Sequence, residues 1–392
     1  MPPTPIYLDH NATSPLLPAA AAAMREAWAT AWANPASQHA AGRAARRVLE
    51  TTREQVIHLL GGDPTGRSPD RLVFTSGGTE ANALAIRGLL AASGKRRLVI
   101  SAIEHPSVAR TAERLETEGV RVDRLGVGLD GRVRVEELEA LLAEAADEIG
   151  LVSVMLASNE TGVVQLIDEL GRLCRAAGVW IHTDAVQSVG KAGIGFRGKP
   201  VDALSFTAHK FHGPMGVGGL LLAPGVTPTP MFDGGFQQDS LRPGTESAPL
   251  ATGMLAALDA AVHTDEGGRS EQLRNLRDCL EAGVLSTWPG AKVIGAESPR
   301  LPHGACIAFP GADRQALVMA YDLAGVACST GSACASGSSE PSPTLLAMGL
   351  DRKLVDGAVR FAVGAMTTEA EIDEAIERIG RVNAGLLAGR SG

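Results

Sequence analysis

Long basic runs are missing from this chain: its 392 residues carry a formal net charge of −8, and nowhere do Lys and Arg cluster as phosphate contacts would require. Direct nucleic-acid binding is therefore not expected, which leaves small molecules and proteins as partners. No apolar run reads as a membrane span. The start, Met1-Pro2-Pro3-Thr4-Pro5-Ile6-Tyr7, has neither the basic opening nor the apolar stretch of a secretory signal, so a cytoplasmic location is expected. The cysteines are few and odd in number: Cys174, Cys279, Cys306, Cys328 and Cys334 lie scattered, without a C-x-x-C pair. That pattern argues against a disulfide framework, offers no zinc motif, and leaves any special cysteine as a free thiol. Internal repeats and low-complexity linkers are missing as well.

What is present is alternation. Short apolar runs at 72–74, 98–100, 152–156, 179–183, 203–206 and 219–222 are interleaved with helix-like stretches such as 79–92, 107–118 and 165–177. Parallel α/β sheets read this way, with each helix long enough for a right-handed crossover. The texture changes after Ala261, with a helical stretch at 270–285, a Pro-rich stretch at 299–310 and a Gly/Ser-rich loop at 329–339. A large domain over 15–261 and a smaller one made of 1–14 and 262–392 are expected. Thr368-Glu369-Ala370-Glu371 reads as a capping box opening a final helix at 369–387.

Ligands of open α/β sheets bind beyond the carboxyl ends of the strands, so those ends carry the chemistry. After the first comes Thr75-Ser76-Gly77-Gly78-Thr79-Glu80-Ala81-Asn82, where Ser76, Gly78 and Thr79 offer donors to a phosphate at a helix start. A plain N-cap explains the same letters. After the second, His105 in Glu104-His105-Pro106-Ser107 is placed either to stack on a heteroaromatic ring and move protons, or to be a structural histidine. Asp184, after the fourth, needs a cation, supplied by a pyridinium nitrogen or by a buried arginine. Lys210 follows the fifth, in Thr207-Ala208-His209-Lys210-Phe211-His212-Gly213-Pro214. Partial burial there makes an amine a nucleophile toward an aldehyde, and a lysine merely ending a strand at the surface fits equally.

A phosphate cradle, a stacking imidazole, a pyridinium partner and a lysine together describe pyridoxal 5'-phosphate. Over nearly its whole length the chain resembles the cysteine desulfurases of the fold-type I, class V aminotransferase superfamily. The resemblance is carried by Asp9-His10-Asn11-Ala12-Thr13, Asn34-Pro35-Ala36-Ser37-Gln38-His39, Ser158-Asn159-Glu160-Thr161-Gly162, Asp184-Ala185-Val186-Gln187-Ser188, His209-Lys210, Arg242-Pro243-Gly244-Thr245 and Val359-Arg360-Phe361. It implies an α/β fold-type I transferase, with a mostly parallel seven-stranded sheet in the large domain and a smaller α+β domain, acting as a homodimer. It also implies that Lys210 carries the cofactor, Asp184 meets the pyridine nitrogen and His105 covers the ring. Gln187 would meet the phenolic oxygen, and Asn159 would lie near that oxygen and the substrate carboxylate. Thr79, Thr207 and His209 match phosphate ligands, and Thr245 matches a threonine that reaches the phosphate from the partner subunit. Arg360 matches the arginine that grips the substrate α-carboxylate, a task suited to its planar fork.

The cofactor alone leaves the reaction open, and Cys334 narrows it. Small polar residues flank it in Cys328-Ser329-Thr330-Gly331-Ser332-Ala333-Cys334-Ala335-Ser336-Gly337, the character of an exposed loop, whereas Cys306 and Cys328 read as core cysteines. The segment resembles the long catalytic loop of the family's sulfur carriers. The implied reaction takes sulfur from L-cysteine as a persulfide on Cys334 and releases L-alanine. Lys210 would move the α-proton, and His105 would exchange a proton with one of the thiols. The sulfur would pass to an acceptor or scaffold protein, in iron–sulfur cluster assembly or another thiolation. A selenocysteine lyase or small-amino-acid aminotransferase, with Cys334 incidental, is the alternative among enzymes; a non-catalytic scaffold subunit is the alternative of another class. Four stretches depart from the family pattern: His10-Asn11, where altered contacts at the cleft entrance are expected; 233–239, which loses a glutamate and a glycine; Pro243, which stiffens its loop; and Ala362-Val363-Gly364-Ala365 after Arg360, where Ser-Leu-Gly-Arg is common.

Overall fold

The computed structural model describes residues 5–265, 269–331 and 340–389. Its strands, in chain order, are β1 (Ile6–Tyr7), β2 (Arg71–Thr75), β3 (Arg97–Ser101), β4 (Arg121–Leu125), β5 (Ile149–Ser153), β6 (Trp180–Asp184), β7 (Ala203–Thr207), β8 (Gly218–Leu222), β9 (Lys292–Val293), β10 (Gly304–Ala308), β11 (Val326–Ala327) and β12 (Ala358–Ala362). Seven of them form one sheet in the order β2-β8-β7-β6-β5-β3-β4. Pairing is parallel from β7 to β4, and β8 runs antiparallel to both β7 and β2. β3, β5, β7 and β8 are buried along their whole length, which is why they read as continuous apolar runs.

The apolar runs miss β4, for a physical reason. It is an edge strand whose Arg121 and Arg124 face solvent, and charged side chains on an edge discourage pairing with another chain. The run expected at 152–156 is also shifted, because β5 spans Ile149–Ser153 and residues 154–156 continue, buried, toward the carboxyl end of the sheet. At the opposite edge the Gln238 side chain acts as a short strand. Its Oε1 accepts from Phe74 N at 2.7 Å and its Nε2 donates to Phe74 O at 2.9 Å, so the departing 233–239 stretch covers the β2 edge.

Besides a large apolar cluster around Leu84, Leu98, Ile100 and Leu220 on one face of the seven-stranded sheet, two further apolar cores are distinct. One joins the seven-stranded sheet to the helices Ala40–Leu59, Ile167–Ala176 and Ala248–Asp265. The other gathers Ile6 and Leu8 from the chain start with Leu273, Leu280, Ile307, Phe361 and Ile379. Around the second lie the antiparallel sheet β12-β10-β9 and the parallel pair β1-β11. Thr368 and Glu371 form the reciprocal capping box that opens the helix Glu369–Ala388.

Candidate active site

Beyond the carboxyl ends of β6 and β7 lies a cavity of about 190 Å3. Gly78, Thr79, His105, Asn159, Asp184, Gln187, Thr207, His209, Lys210 and Arg360 all line it. Residues expected from six separate stretches of sequence thus meet in one place. Ser76 and Thr245 are exposed and do not line the cavity. Cys334 lies outside the described residues.

Lys210 sits on the single turn Ala208–Phe211 that follows β7, half-buried, with its Nζ donating to Asn11 O at 2.5 Å and Ala12 O at 2.7 Å. A surface strand end is therefore excluded. Asp184, the last residue of β6, is 5% exposed. It accepts from Asn82 Nδ2 at 2.6 Å and from Val186 N at 2.9 Å, and among the described residues no Arg or Lys pairs with it. The buried arginine that sequence left open as its partner is not there.

Asn82 also donates to Ser107 Oγ at 2.9 Å, and Ser107 Oγ lies 2.8 Å from His105 Nδ1. The Ser107 N–H donates to that same nitrogen at 3.1 Å, so Nδ1 carries a lone pair and a neutral ring bears its proton on Nε2. Burial pushes the His105 pKa down. The Asp184 charge opposes that shift, and Lys210 and Arg360 add to it. At the helix start, a Cβ on Gly78 would come 2.8 Å from Val186 Cγ2, so only glycine permits this close approach. Arg360, on β12, is 2% exposed. It donates to Asn159 O at 3.2 Å, Gly331 O at 2.8 Å and Asp9 Oδ1 at 3.0 Å.

The aminotransferase class-V family model matches residues 6–375. A cysteine desulfurase of Cereibacter sphaeroides is 44% identical over 374 residues, which span 95% of this chain and 94% of that one. An IscS-like cysteine desulfurase of Mycobacterium tuberculosis is 40% identical over 378 residues, with 95% and 94% covered. The chain belongs to the cysteine desulfurase family of class-V aminotransferases. Its fold agrees: a solved NifS-like protein superposes with a TM-score of 0.88 at 30% identity, over 97% of this chain and 100% of that one. Cysteine desulfurases depend on pyridoxal 5'-phosphate.

Sequence reasoning named no role for Asn82, Ser107 or Met155, which line the same cavity. Asn82 follows Gly78 by one helical turn, and that spacing was the available signal. In this desulfurase-family chain His10 and Asn11 do not lie at a cleft entrance, because both are 3% exposed. Asn11 is part of the cavity wall, donating to Asn159 O at 3.1 Å and meeting His303 Nε2 at 2.6 Å. His10 packs edge-on to Tyr7 and leaves no room for a Cβ on Gly364. As for the thiols, burial pushes Cys174 and Cys306 up to about 12 and raises Cys328 as well. Cys279 is exposed on the helix Arg269–Leu285 and lines a separate depression with Glu271 and Glu369.

Proposed function

We propose that this chain is a pyridoxal 5'-phosphate-dependent cysteine desulfurase that takes the sulfur of L-cysteine as a persulfide on Cys334 and releases L-alanine. The observation that carries this reading is the buried Asp184 carboxylate, which lines the cavity and, among the described residues, has no Arg or Lys to pair it. Asp184 would hold the ring nitrogen of the cofactor in its protonated form, which would supply the missing cation. Lys210 lies in the same cavity and would hold the aldehyde carbon, and Gly78, Thr79, Thr207 and His209, which line it too, would hold the phosphate. Thr245, exposed and outside this cavity, is assigned to the site of a second copy in a homodimer. When bound, the cofactor supplies an electron sink for chemistry at the α-carbon of an amino acid.

The chain's own groups do the rest. Arg360 binds the α-carboxylate through its unused N–H groups, with Asn159 beside it. Lys210 moves the proton at the α-carbon, while Asp184 keeps the ring nitrogen protonated. His105 exchanges a proton with a thiol through Nε2. The Cys334 thiolate bonds to the substrate sulfur as its carbon–sulfur bond breaks, and the carbon gains a proton to become the methyl group of L-alanine. Three of the other cysteines are held as thiols by burial, which favours Cys334. So does Gly331, three residues earlier, whose carbonyl is already bonded to Arg360 at the cavity. The persulfide then passes to an acceptor or scaffold protein in the cytoplasm. The division into 15–261 and 1–14 with 262–392 is part of the same proposal. Purified protein is expected to absorb visible light as a lysine–cofactor adduct and to convert L-cysteine to alanine and sulfide in the presence of a thiol reductant. Cys334→Ala should keep the colour and lose sulfide release; abundant sulfide from that variant would overturn the role of Cys334. Transamination without sulfur release would overturn the reaction.

A further inference from the structure

Lys191 is a buried lysine to which the proposed reaction gives no task. It is 8% exposed and ends the turn that carries Gln187 out of β6. It also lies behind Lys210, since both line one small hollow together with His10, His212, His303 and Arg269. No carboxylate is among those residues, and among the described residues none forms an ion pair with Lys191. Its Nζ donates to Gln187 Oε1 at 3.2 Å. Burying an amine costs several kcal/mol unless it serves a partner, so a lysine satisfied, among the described residues, only by an amide oxygen calls for an explanation.

The explanation lies in the amide. Gln187 Nε2 donates to Asn11 O at 3.0 Å, and the same carbonyl accepts from Lys210 Nζ. A carbonyl only accepts and Lys191 donates, so the two contacts together fix which end of the amide is which. Oε1 must face Lys191, and Nε2 must face Asn11. One N–H of Nε2 remains, on a side chain that lines the cavity.

We propose that Lys191 is a positioning residue: it locks the Gln187 amide so that this N–H is offered to an oxygen substituent on the ring of the bound cofactor. The inference rests on the reading that the cavity takes pyridoxal 5'-phosphate. Lys191 touches neither cofactor nor substrate; it acts through Gln187. Without it the amide loses the contact that orients its oxygen and can rotate.

The test uses binding to the apo-protein, followed by absorbance, with two probes: pyridoxal 5'-phosphate and its 3-deoxy analogue, which lacks the ring oxygen. Lys191→Met, which fills the same space, should weaken pyridoxal 5'-phosphate by about tenfold, the worth of one hydrogen bond, and leave the 3-deoxy analogue within about twofold. Gln187→Leu should show the same selectivity, and the double variant should lose no more than Gln187→Leu alone. Equal weakening of both probes, or additive losses, would mean that Lys191 only supports the fold and would overturn the proposal. If Lys191→Met does not fold, Lys191→Gln, which keeps a donor, should bind both probes nearly as the unsubstituted protein does; selective loss there would count against the proposal. Unsubstituted protein that binds neither probe would overturn the cofactor reading itself, whereas tight binding without desulfuration would leave the inference intact.

Discussion

Arg360 Nη2 lies 3.0 Å from Asp9 Oδ1, joining the last strand of the chain to its opening segment. The guanidinium assigned to the substrate carboxylate is therefore already paired, and Ser329 Oγ reaches the other Asp9 oxygen at 2.5 Å. A substrate carboxylate bound there, as proposed, would meet a cation whose charge is partly spent. Asp9→Asn keeps an acceptor oxygen but removes the competing charge, so KM for L-cysteine should fall by about threefold to tenfold, on the scale of 1 kcal/mol for a partly exposed pair. Stability should drop by about 1–3 kcal/mol, because Arg360 is left less compensated in a buried place. Steady-state kinetics and urea unfolding check both, and a higher KM would show that Asp9 orients Arg360 more than it competes with the substrate.

Arg360→Lys retains the charge and loses the fork. Three acceptors hold the guanidinium in one plane, a geometry that an ammonium cannot reproduce. KM is expected to rise by about 100-fold, with kcat changed far less, since the interaction removed is carboxylate binding shared by ground and transition states. An equal fall in kcat would mean that Arg360 acts in the chemical step.

Asn82 spans Asp184 and Ser107 with the two hydrogens of one amide. Asn82→Ala should cut kcat about tenfold by loosening Asp184, the residue proposed to hold the ring nitrogen. Asp184→Asn should cut it about 10³-fold by removing the charge proposed to keep that nitrogen protonated. Both losses should come with a shifted visible absorbance of the bound cofactor. An unchanged spectrum in Asp184→Asn would remove Asp184 from the ring nitrogen.

The sheet and the cavity were legible in the sequence for the same reason: buried parallel strands are apolar throughout, and each ends abruptly in a polar or glycine-rich turn. Asp184, Lys210 and His105 stand at such ends and could be found. The edge strand β4 could not, because its charged face erases the period that marks a strand. Nor could Lys191, since a lysine in a turn reads as surface, and only the packing of Gln187 and Lys210 around it shows it to be buried. The three-dimensional arrangement also decides what letters leave open. Whether Asp184 meets an arginine or a ligand depends on side chains more than a hundred residues away.

Glu104 offers a pH-dependent test at the margin of the site. It is buried beside His105, accepts from Ser101 Oγ at 2.5 Å and Met155 N at 2.9 Å through Oε1, and its Oε2 has no hydrogen-bond partner among the described residues. Burial pushes its pKa from 4.5 up to about 8, and the Asp184 charge pushes the same way. Between those values the folded state holds a proton that the unfolded state has released, so this group lowers stability as pH rises from about 4.5 to 8 and adds no further loss above. Glu104→Gln keeps the acceptor oxygen and cannot ionise. Its stability relative to the unsubstituted protein should therefore be near equal at pH 5 and should gain up to about 1.4 kcal/mol per pH unit toward pH 8. Urea unfolding at pH 5, 6, 7 and 8 measures the difference, in which other titrating groups cancel. A difference that stays flat over that range would mean Glu104 ionises at its ordinary value, and that the carboxyl beside His105 is charged in the working enzyme.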